Sequence, residues 1–459
     1  VSASVAARLD RLPVAPLHRR IAIVVGLGAF FDLFDIFLGG VLAAVLANPW
    51  HLSTNGKALV IASGFAGMFV GAAVFGACAD RFGRRRMFLI NLLVYSGFSL
   101  LAAAAPDLGW LAVLRFLGGL GLGAELTLAD TYLSEILPAH VRGRYIARAY
   151  TFGFVGVPLA AFVGGRFVAG HDLLIAGWRW LLIAGGIGGA IVWILRRSLP
   201  ESPRWQAIHG DAAQAERTVA AIEAQVKREL KLAALPEPAA TGALAAAPAK
   251  ASLKEAFSGE YARRSAMLWI FHILQSVGYY GFGSLAPLVL ASKGFDIVAT
   301  LGYSALIFLG YPLGSAASIG IVERCERRTL IIASALAMAA LGVVFGFAQA
   351  PWLILVSGFL LTAASNVFSN AYHIYQAEIF PTRMRATAIG SAYSLSRLSA
   401  AILPFVSVSI LDSVGATAVF LGCAGILVVL CLDVRLLGPR STGRTLEAAS
   451  TGPQDAAPA

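Results

Sequence analysis

Charge is scarce in this sequence. Asp, Glu, Lys and Arg make up 13% of its 459 residues, roughly half the share of a soluble domain, and that deficit excludes an ordinary water-soluble protein. Cysteine is scarce as well. Cys78, Cys325, Cys423 and Cys431 show neither a disulfide framework nor a zinc-ligand spacing, so no metal site and no bound cofactor are expected. No Lys-Ser/Thr pair follows the glycine cluster at 118–123, which excludes a nucleotide-phosphate loop; Gly118, Gly119, Gly121 and Gly123 are read instead as close-packing positions between helices. The first 20 residues lack the apolar core of a cleaved leader, so the first apolar run is expected to act as an uncleaved insertion signal.

Apolar residues, in contrast, make up 58% of the chain. Runs of roughly 20 apolar residues, each long enough to span a bilayer as a helix, recur at 21–47, 58–79, 87–105, 110–133, 146–168, 177–195, 265–291, 298–322, 329–348, 352–377, 386–411 and 415–433. They are long and do not alternate, which favours helices over a barrel. The expected fold is an all-α membrane protein of twelve transmembrane helices. A net charge of +11 would suit a nucleic-acid partner, but its placement argues otherwise. With the amino terminus in the cytoplasm, all but six of the 36 Lys and Arg fall in cytoplasmic segments or helix ends, as the positive-inside rule requires. The excess is topological, nucleic acid is excluded as a partner, and a multi-pass inner-membrane monomer with both termini cytoplasmic is expected.

The chain divides into two halves. Residues 1–20 form a cytoplasmic amino terminus, 21–195 and 265–433 two six-helix bundles, 196–264 a cytoplasmic linker with a charged helix near 206–232, and 434–459 a disordered tail. SEILPAHVRGR (134–144) repeats as AEIFPTRMRAT (377–387), and DRFGRR (80–85) as ERCERR (323–328). Asp80 and Glu323, Glu135 and Glu378, Pro138 and Pro381, and Arg142 and Arg385 are each 243 positions apart. One offset shared by two separate motifs marks a parallel repeat, the architecture of alternating-access carriers.

GACADRFGRRR (76–86) resembles the loop-two signature of the major facilitator superfamily, and RFLGGLGLG (115–123) the Arg-plus-glycine signature of its fourth span. PESPRW (200–205) is similar to a motif of sugar porters and organic-ion transporters, and EIFPTRMRATAIG (378–390) to one of organic-ion and metabolite–proton carriers. The Asp-x-x-Asp of span one resembles aromatic-acid symporters. Glu323 and Glu326 stand where that family usually has Asp and Gly, and span five lacks the full antiporter motif, which favours symport or uniport. The resemblance implies a cytoplasmic gate made by Asp80, Arg81, Arg84, Glu135, Arg144, Glu201 and Arg204, with Glu323, Arg324, Glu378 and Arg385 in the second half. Such charges can pair and cap helix ends; the alternative is that Arg81 to Arg86 merely anchor topology, the reading preferred for Arg85 and Arg86.

Ionisable residues inside spans are functional by default. Asp32 and Asp35 flank the middle of span one, nearly one turn apart, so both can face one cavity. Arg115, in the outer half of span four, lies at the depth of Asp35, and sugar porters pair the matching residues. Asp35–Arg115 is therefore the expected ion pair, and Asp32, Asp35 and Arg115 the expected proton-coupling set, with a static structural pair as the alternative. Glu125 is a candidate cavity residue and Asp130 a structural one, either able to partner Arg148. Arg397, near the centre of span eleven, has no acid of the second half at its depth. It is expected to await a substrate carboxylate, unless it pairs with Asp32 or Asp35. Gln275, Tyr279, Tyr393, Asn366 and Asn370 are the expected orienting groups; Tyr372, Tyr375 and His373 are read as helix–helix partners.

These residues suggest proton-coupled symport of a small organic anion, an aromatic or aliphatic carboxylate. A sugar or polyol carrier, supported by PESPRW and Gln275, and an organic-cation carrier using Asp32 are the alternatives within transport. No nucleophile–base set or metal cluster points to an enzyme, and rocking halves fit the repeat better than a channel. A non-transporting membrane sensor is the remaining reading.

Overall fold

The structure, a computed structural model, describes residues 5–168, 175–208, 212–237, 253–322, 324–380 and 382–440. Among them the chain is helical, with no strand. In hydrocarbon a backbone must satisfy its own amides, and apolar runs of this length do so as helices. The first six spans are Pro16–Leu46, Thr54–Phe82, Arg84–Ala102, Leu108–Gly123 continued by Glu125–Ile136, Ala139–Gly153 continued by Gly156–Val168, and Gly177–Arg196. The second six are Gly259–Ser276 continued through Val277–Gly281 to Phe282–Ser292, Ile297–Phe308 continued by Gly310–Val322, Arg327–Phe347, Pro351–Glu378, Thr382–Ser413 and Ala416–Leu437.

Eleven of these are long and apolar enough to cross a membrane. The third, Arg84–Ala102, is the twelfth in number; three arginines at its start dilute its hydropathy, and it packs against spans four and six like any other bundle member. Between the halves, short helices at Pro203–Ile208 and Ala212–Glu229 lie on the face that carries the amino terminus. We call this the terminal face. Of the expected linker 196–264, residues 209–211 and 238–252 lie outside the described residues, as do residues 441–459 of the expected tail 434–459, whose first four residues continue the last helix.

Spans one and seven are the most enclosed, and spans eleven and twelve the most exposed to the surrounding medium. Close approach depends on glycine at Gly119, where a Cβ would strike the Gly64 backbone of span two, as the close-packing reading of span four requires.

The apolar core shows how the halves meet. Away from the terminal face one continuous cluster runs through both halves, joining Phe37, Phe65 and Leu181 to Leu285, Phe308 and Phe345. Nearer the terminal face each half has a core of its own. The halves are thus sealed at one end and parted at the other. At the sealed end Phe37 packs against Tyr311 and Phe308, with ring centroids 5.3 and 5.9 Å apart. A Cβ on Gly40 would run into the Ser284 backbone of span seven. Lys57 and Thr54 of span two bind Asp412 of span eleven at 2.6 Å each.

Candidate functional site

Parting of the halves leaves a central cavity of about 930 Å³. It opens toward the terminal face, where Arg144, Val322, Arg327 and Glu378 line its mouth. Deeper in, the first half contributes Leu33, Asp130, Tyr150 and Phe154, and the second half Tyr279, Tyr280, Asn370, Tyr372, His373 and Tyr393. Aromatic walls with a few convergent polar groups make a small-molecule site.

Span seven supplies two adjacent tyrosines by a local change of winding. Val277–Gly281 forms a π-turn, the kind of helix distortion that recurs at functional sites. It brings Tyr280 to the cavity beside Tyr279. Gln275, one turn earlier, is buried and does not line the cavity, so that orienting role is corrected. Asn366 is also withdrawn: it donates to the Tyr311 carbonyl at 2.6 Å and accepts from the Tyr279 hydroxyl at 3.4 Å. Asn370 remains on the wall and donates to Ser318 at 2.6 Å.

Arg397 is 1% exposed and forms no ion pair among the described residues. One guanidinium nitrogen donates to the Tyr280 hydroxyl at 2.8 Å and the other to the Tyr393 hydroxyl at 2.5 Å. The charge also lies over both rings, 5.1 and 4.8 Å from their centroids, a favourable placement for a cation. Direct bidentate contact between Arg397 and a ligand in the cavity is therefore corrected: two tyrosines stand between them. Each hydroxyl accepts from the guanidinium, so the cavity meets the positive charge through phenol groups. Behind them His272 bonds Gln376 at 2.9 Å, Gln376 lies 3.3 Å from His373, and His373 stacks on Tyr372 at 4.4 Å.

The first half holds a cluster of buried charge. Arg115 Nη2 lies 3.8 Å from Asp35 Oδ2, and Arg115 Nε donates to the Val60 carbonyl at 3.3 Å, so the pair expected from depth is formed. Glu125 does not partner Arg148. It is 1% exposed and ion-paired with Arg196, whose guanidinium sits 4.3 Å above the Phe88 ring. Glu125 is thus no cavity residue. Arg196 ends span six and by sequence serves only topology, yet it is buried. Asp32 lies close to these charges and to Arg397, but neither of its oxygens has a hydrogen-bond partner. Within the first half three carboxylates face two guanidinium groups, and Arg397 is the nearby cation of the second half.

At the terminal face several of the residues expected to form a gate are paired within their own half. Glu201 accepts from the backbone N–H groups of Arg84 and Arg85 at 3.0 and 3.1 Å, capping the start of span three. Arg84 reaches Glu135 at 3.4 Å. Arg204 donates to the Glu135 carbonyl at 3.0 Å and to Asp10 at 2.9 Å, and Arg142 joins Asp10 at 3.2 Å. In the second half Arg327 lies 3.6 Å from Glu378. Arg81 rests over the Phe82 ring at 5.5 Å and Arg324 is exposed. Glu323 lies outside the described residues, as do the side chains of Asp80 and Arg385. Asp10, Arg142 and Arg327 are members that the motifs alone did not single out.

Two six-helix halves, sealed at one face and parted around an aromatic cavity at the other, define an integral membrane transporter and not an enzyme. The chain belongs to the "Sugar (and other) transporter" family, whose model matches residues 21–452, within the major facilitator superfamily. It is 32% identical to the putative metabolite transport protein YyaJ of Bacillus subtilis over 96% of both chains. It is 31% identical to the niacin transporter NiaP of Acinetobacter baylyi, covering 96% of this chain and 98% of that one. The 4-hydroxybenzoate transporter PcaK of the same organism is 30% identical over 84% of each. Among solved structures, a D-xylose-proton symporter superposes with a TM-score of 0.73 at 21% identity, covering 93% of this chain and 99% of that one; this likeness concerns the fold alone.

Proposed function

We propose that this transporter is a proton-coupled symporter of a small aromatic monocarboxylate, sited in the inner membrane with its terminal face in the cytoplasm. The distribution of Lys and Arg supports that orientation, in which the cavity faces inward. The observation that carries the substrate reading is the clasp of Arg397 by Tyr280 and Tyr393. It offers an anion a polarised phenol O–H backed by a cation that forms no ion pair among the described residues. The surrounding rings suit an aromatic body, and niacin and 4-hydroxybenzoate, named for two relatives, are both aromatic carboxylic acids.

Proton coupling is supported by the charge cluster of the first half. A bare carboxylate without hydrogen bonds costs several kcal/mol to bury, so Asp32, whose two oxygens have no hydrogen-bond partner, favours a retained proton. Release of that proton leaves Asp32 to compete with Glu125 for Arg196, and such competition can bias which face is open. The proton would be the only coupling ion. A monocarboxylate carried with one proton moves no net charge and is driven by the pH difference; each further proton would add about 2.3 kcal/mol per 100 mV. The sugar or polyol reading loses support because Gln275 does not line the cavity.

Uptake into proteoliposomes, from a panel of aromatic acids, aliphatic acids, sugars and amines under an imposed pH gradient, tests this. Acid-stimulated uptake of an aromatic acid is expected, reduced at least about tenfold in Arg397→Ala and no longer acid-stimulated in Asp32→Asn. Uptake of neutral sugars indifferent to Arg397 would replace this reading with a sugar carrier.

A further inference from the structure

Three arginines converge at one corner of the terminal face, away from the cavity. Span six packs against both span one and span three. At its end the Ser198 hydroxyl accepts from Arg20 of span one at 3.4 Å and donates to the Leu195 carbonyl at 2.7 Å. The neighbouring Arg197 carbonyl accepts from Arg85 of span three at 2.6 Å, and the Arg197 guanidinium lies over the Trp193 ring at 4.9 Å. Arg20 and Arg197 are exposed. None of the three arginines forms an ion pair among the described residues. Glu201, the next acid along the chain, spends its oxygens on the backbone N–H groups of Arg84, Arg85 and Ser202. Topology explains positive charge at this depth, but not why three helices direct theirs to one point. Like charges gathered in this way repel, and an anion held among them offsets that repulsion.

We infer that the junction of spans one, three and six binds the headgroup of an anionic phospholipid. Guanidinium groups match phosphate oxygens with paired N–H donors, and basic pockets between spanning helices recognise such headgroups. The surface next to the arginines fits the rest of a lipid. Ile23 of span one and Ile194 of span six each lie three residues from an arginine of the corner, on the same helix face and toward the membrane interior. They are 59% and 61% exposed, an apolar bed for an acyl chain. Trp193 stands between bed and charges, where an indole ring suits the headgroup level. A soluble phosphate ester would use the arginines and leave the isoleucines untouched. The site lies outside the cavity and does not depend on which substrate is carried.

Native mass spectrometry of the purified full-length protein in detergent, titrated with phosphatidylglycerol or phosphatidylcholine, tests this. Phosphatidylglycerol is expected to bind about tenfold or more tighter than phosphatidylcholine. That preference should collapse toward one in Arg20→Gln with Arg197→Gln. It should fall part-way in Arg20→Lys with Arg197→Lys, which keeps the charges that orient the chain but loses the paired donors. Arg217→Gln with Lys227→Gln removes the same charge from exposed positions of Ala212–Glu229 and should leave the preference unchanged. An equal loss in both Gln pairs, or an unaltered preference in the Arg20 and Arg197 variants, would overturn the site. Displacement of the lipid by an equal concentration of glycerol phosphate would overturn the lipid assignment in favour of a soluble phosphate ester.

Discussion

Lys57 and Asp412 join the two halves at the face away from the termini, Nζ to Oδ2 at 2.6 Å, with Thr54 Oγ1 donating to the same carboxylate oxygen. Both charges are partly exposed, 18% and 31%, and a pair in that setting is worth about 0.2–1 kcal/mol. Yet an equilibrium between two open states is moved several-fold by an energy of that size. Asp412→Asn is therefore expected to widen the distance distribution between spin labels placed on spans two and eleven at this face. Exchanging the charges, Lys57→Asp with Asp412→Lys, should narrow it again. A distribution the same in all three proteins would show that the pair has no part in closure.

Gly40 makes a sharper test of the same seal. Its missing side chain lets span one meet the Ser284 backbone of span seven. Gly40→Val needs the halves to move apart at that level. The expected outcome is a folded, inserted protein that no longer closes this face, with turnover lost and spin-label distances shifted to the wide population. Normal transport by Gly40→Val would mean that the contact is not needed in any state of the cycle.

The buried Glu125–Arg196 pair predicts an asymmetry in stability. Removing one partner leaves an uncompensated charge, at a cost of about 3–5 kcal/mol. Arg196→Gln should lower the thermal midpoint of the purified protein markedly, and Glu125→Gln by less, because Asp32 remains beside Arg196. The double replacement should lower it by less than the two single effects combined. Additive effects would show that the two side chains do not depend on each other.

At the terminal face, Glu223 of the helix Ala212–Glu229 binds Arg8 at 2.6 Å and Arg11 at 2.7 Å. Burial opposes its ionisation, but the hydrogen bonds from Arg8 and Arg11 outweigh it and hold the carboxyl below its ordinary 4.5. A depressed native value stabilises docking fully above the ordinary value, and that contribution is lost as pH falls through the native one. Protection of the Ala212–Glu229 amides, taken relative to the intrinsic exchange rate at each pH, should be high at pH 7 and fall below about pH 4. Glu223→Gln should be less protected at pH 7 and lose the pH step. An unaltered profile in that variant would remove Glu223 from the docking contact.

The fold was legible because its signals are long: apolar runs and a 243-residue repeat survive errors at individual positions. Asp35 and Arg115 were legible as partners because depth along a straight helix is arithmetic. The surroundings of Arg397 were not. Regular α-winding puts Gln275 and Tyr279 on one face, but the π-turn rewinds span seven, so Tyr280 takes the place Gln275 seemed to hold. No residue pattern announced that rewinding. Arg196 was hidden for a different reason. A cationic residue at a cytoplasmic helix end already has a topological explanation, and only packing shows that Glu125 reaches it. Lys57 and Asp412, on different halves with no motif around either, carried no signal of proximity at all.

The gate charges Arg84–Glu135, Arg204–Asp10 and Arg327–Glu378 are satisfied inside their own halves, whereas Lys57–Asp412 bridges two halves. Among the described residues, the separation seen at the terminal face therefore strands none of these ions, while unsealing the other face must break one. The unloaded carrier rests on an uneven seesaw: tipped one way it holds a bridging ion pair, and tipped the other it must first give that bond up.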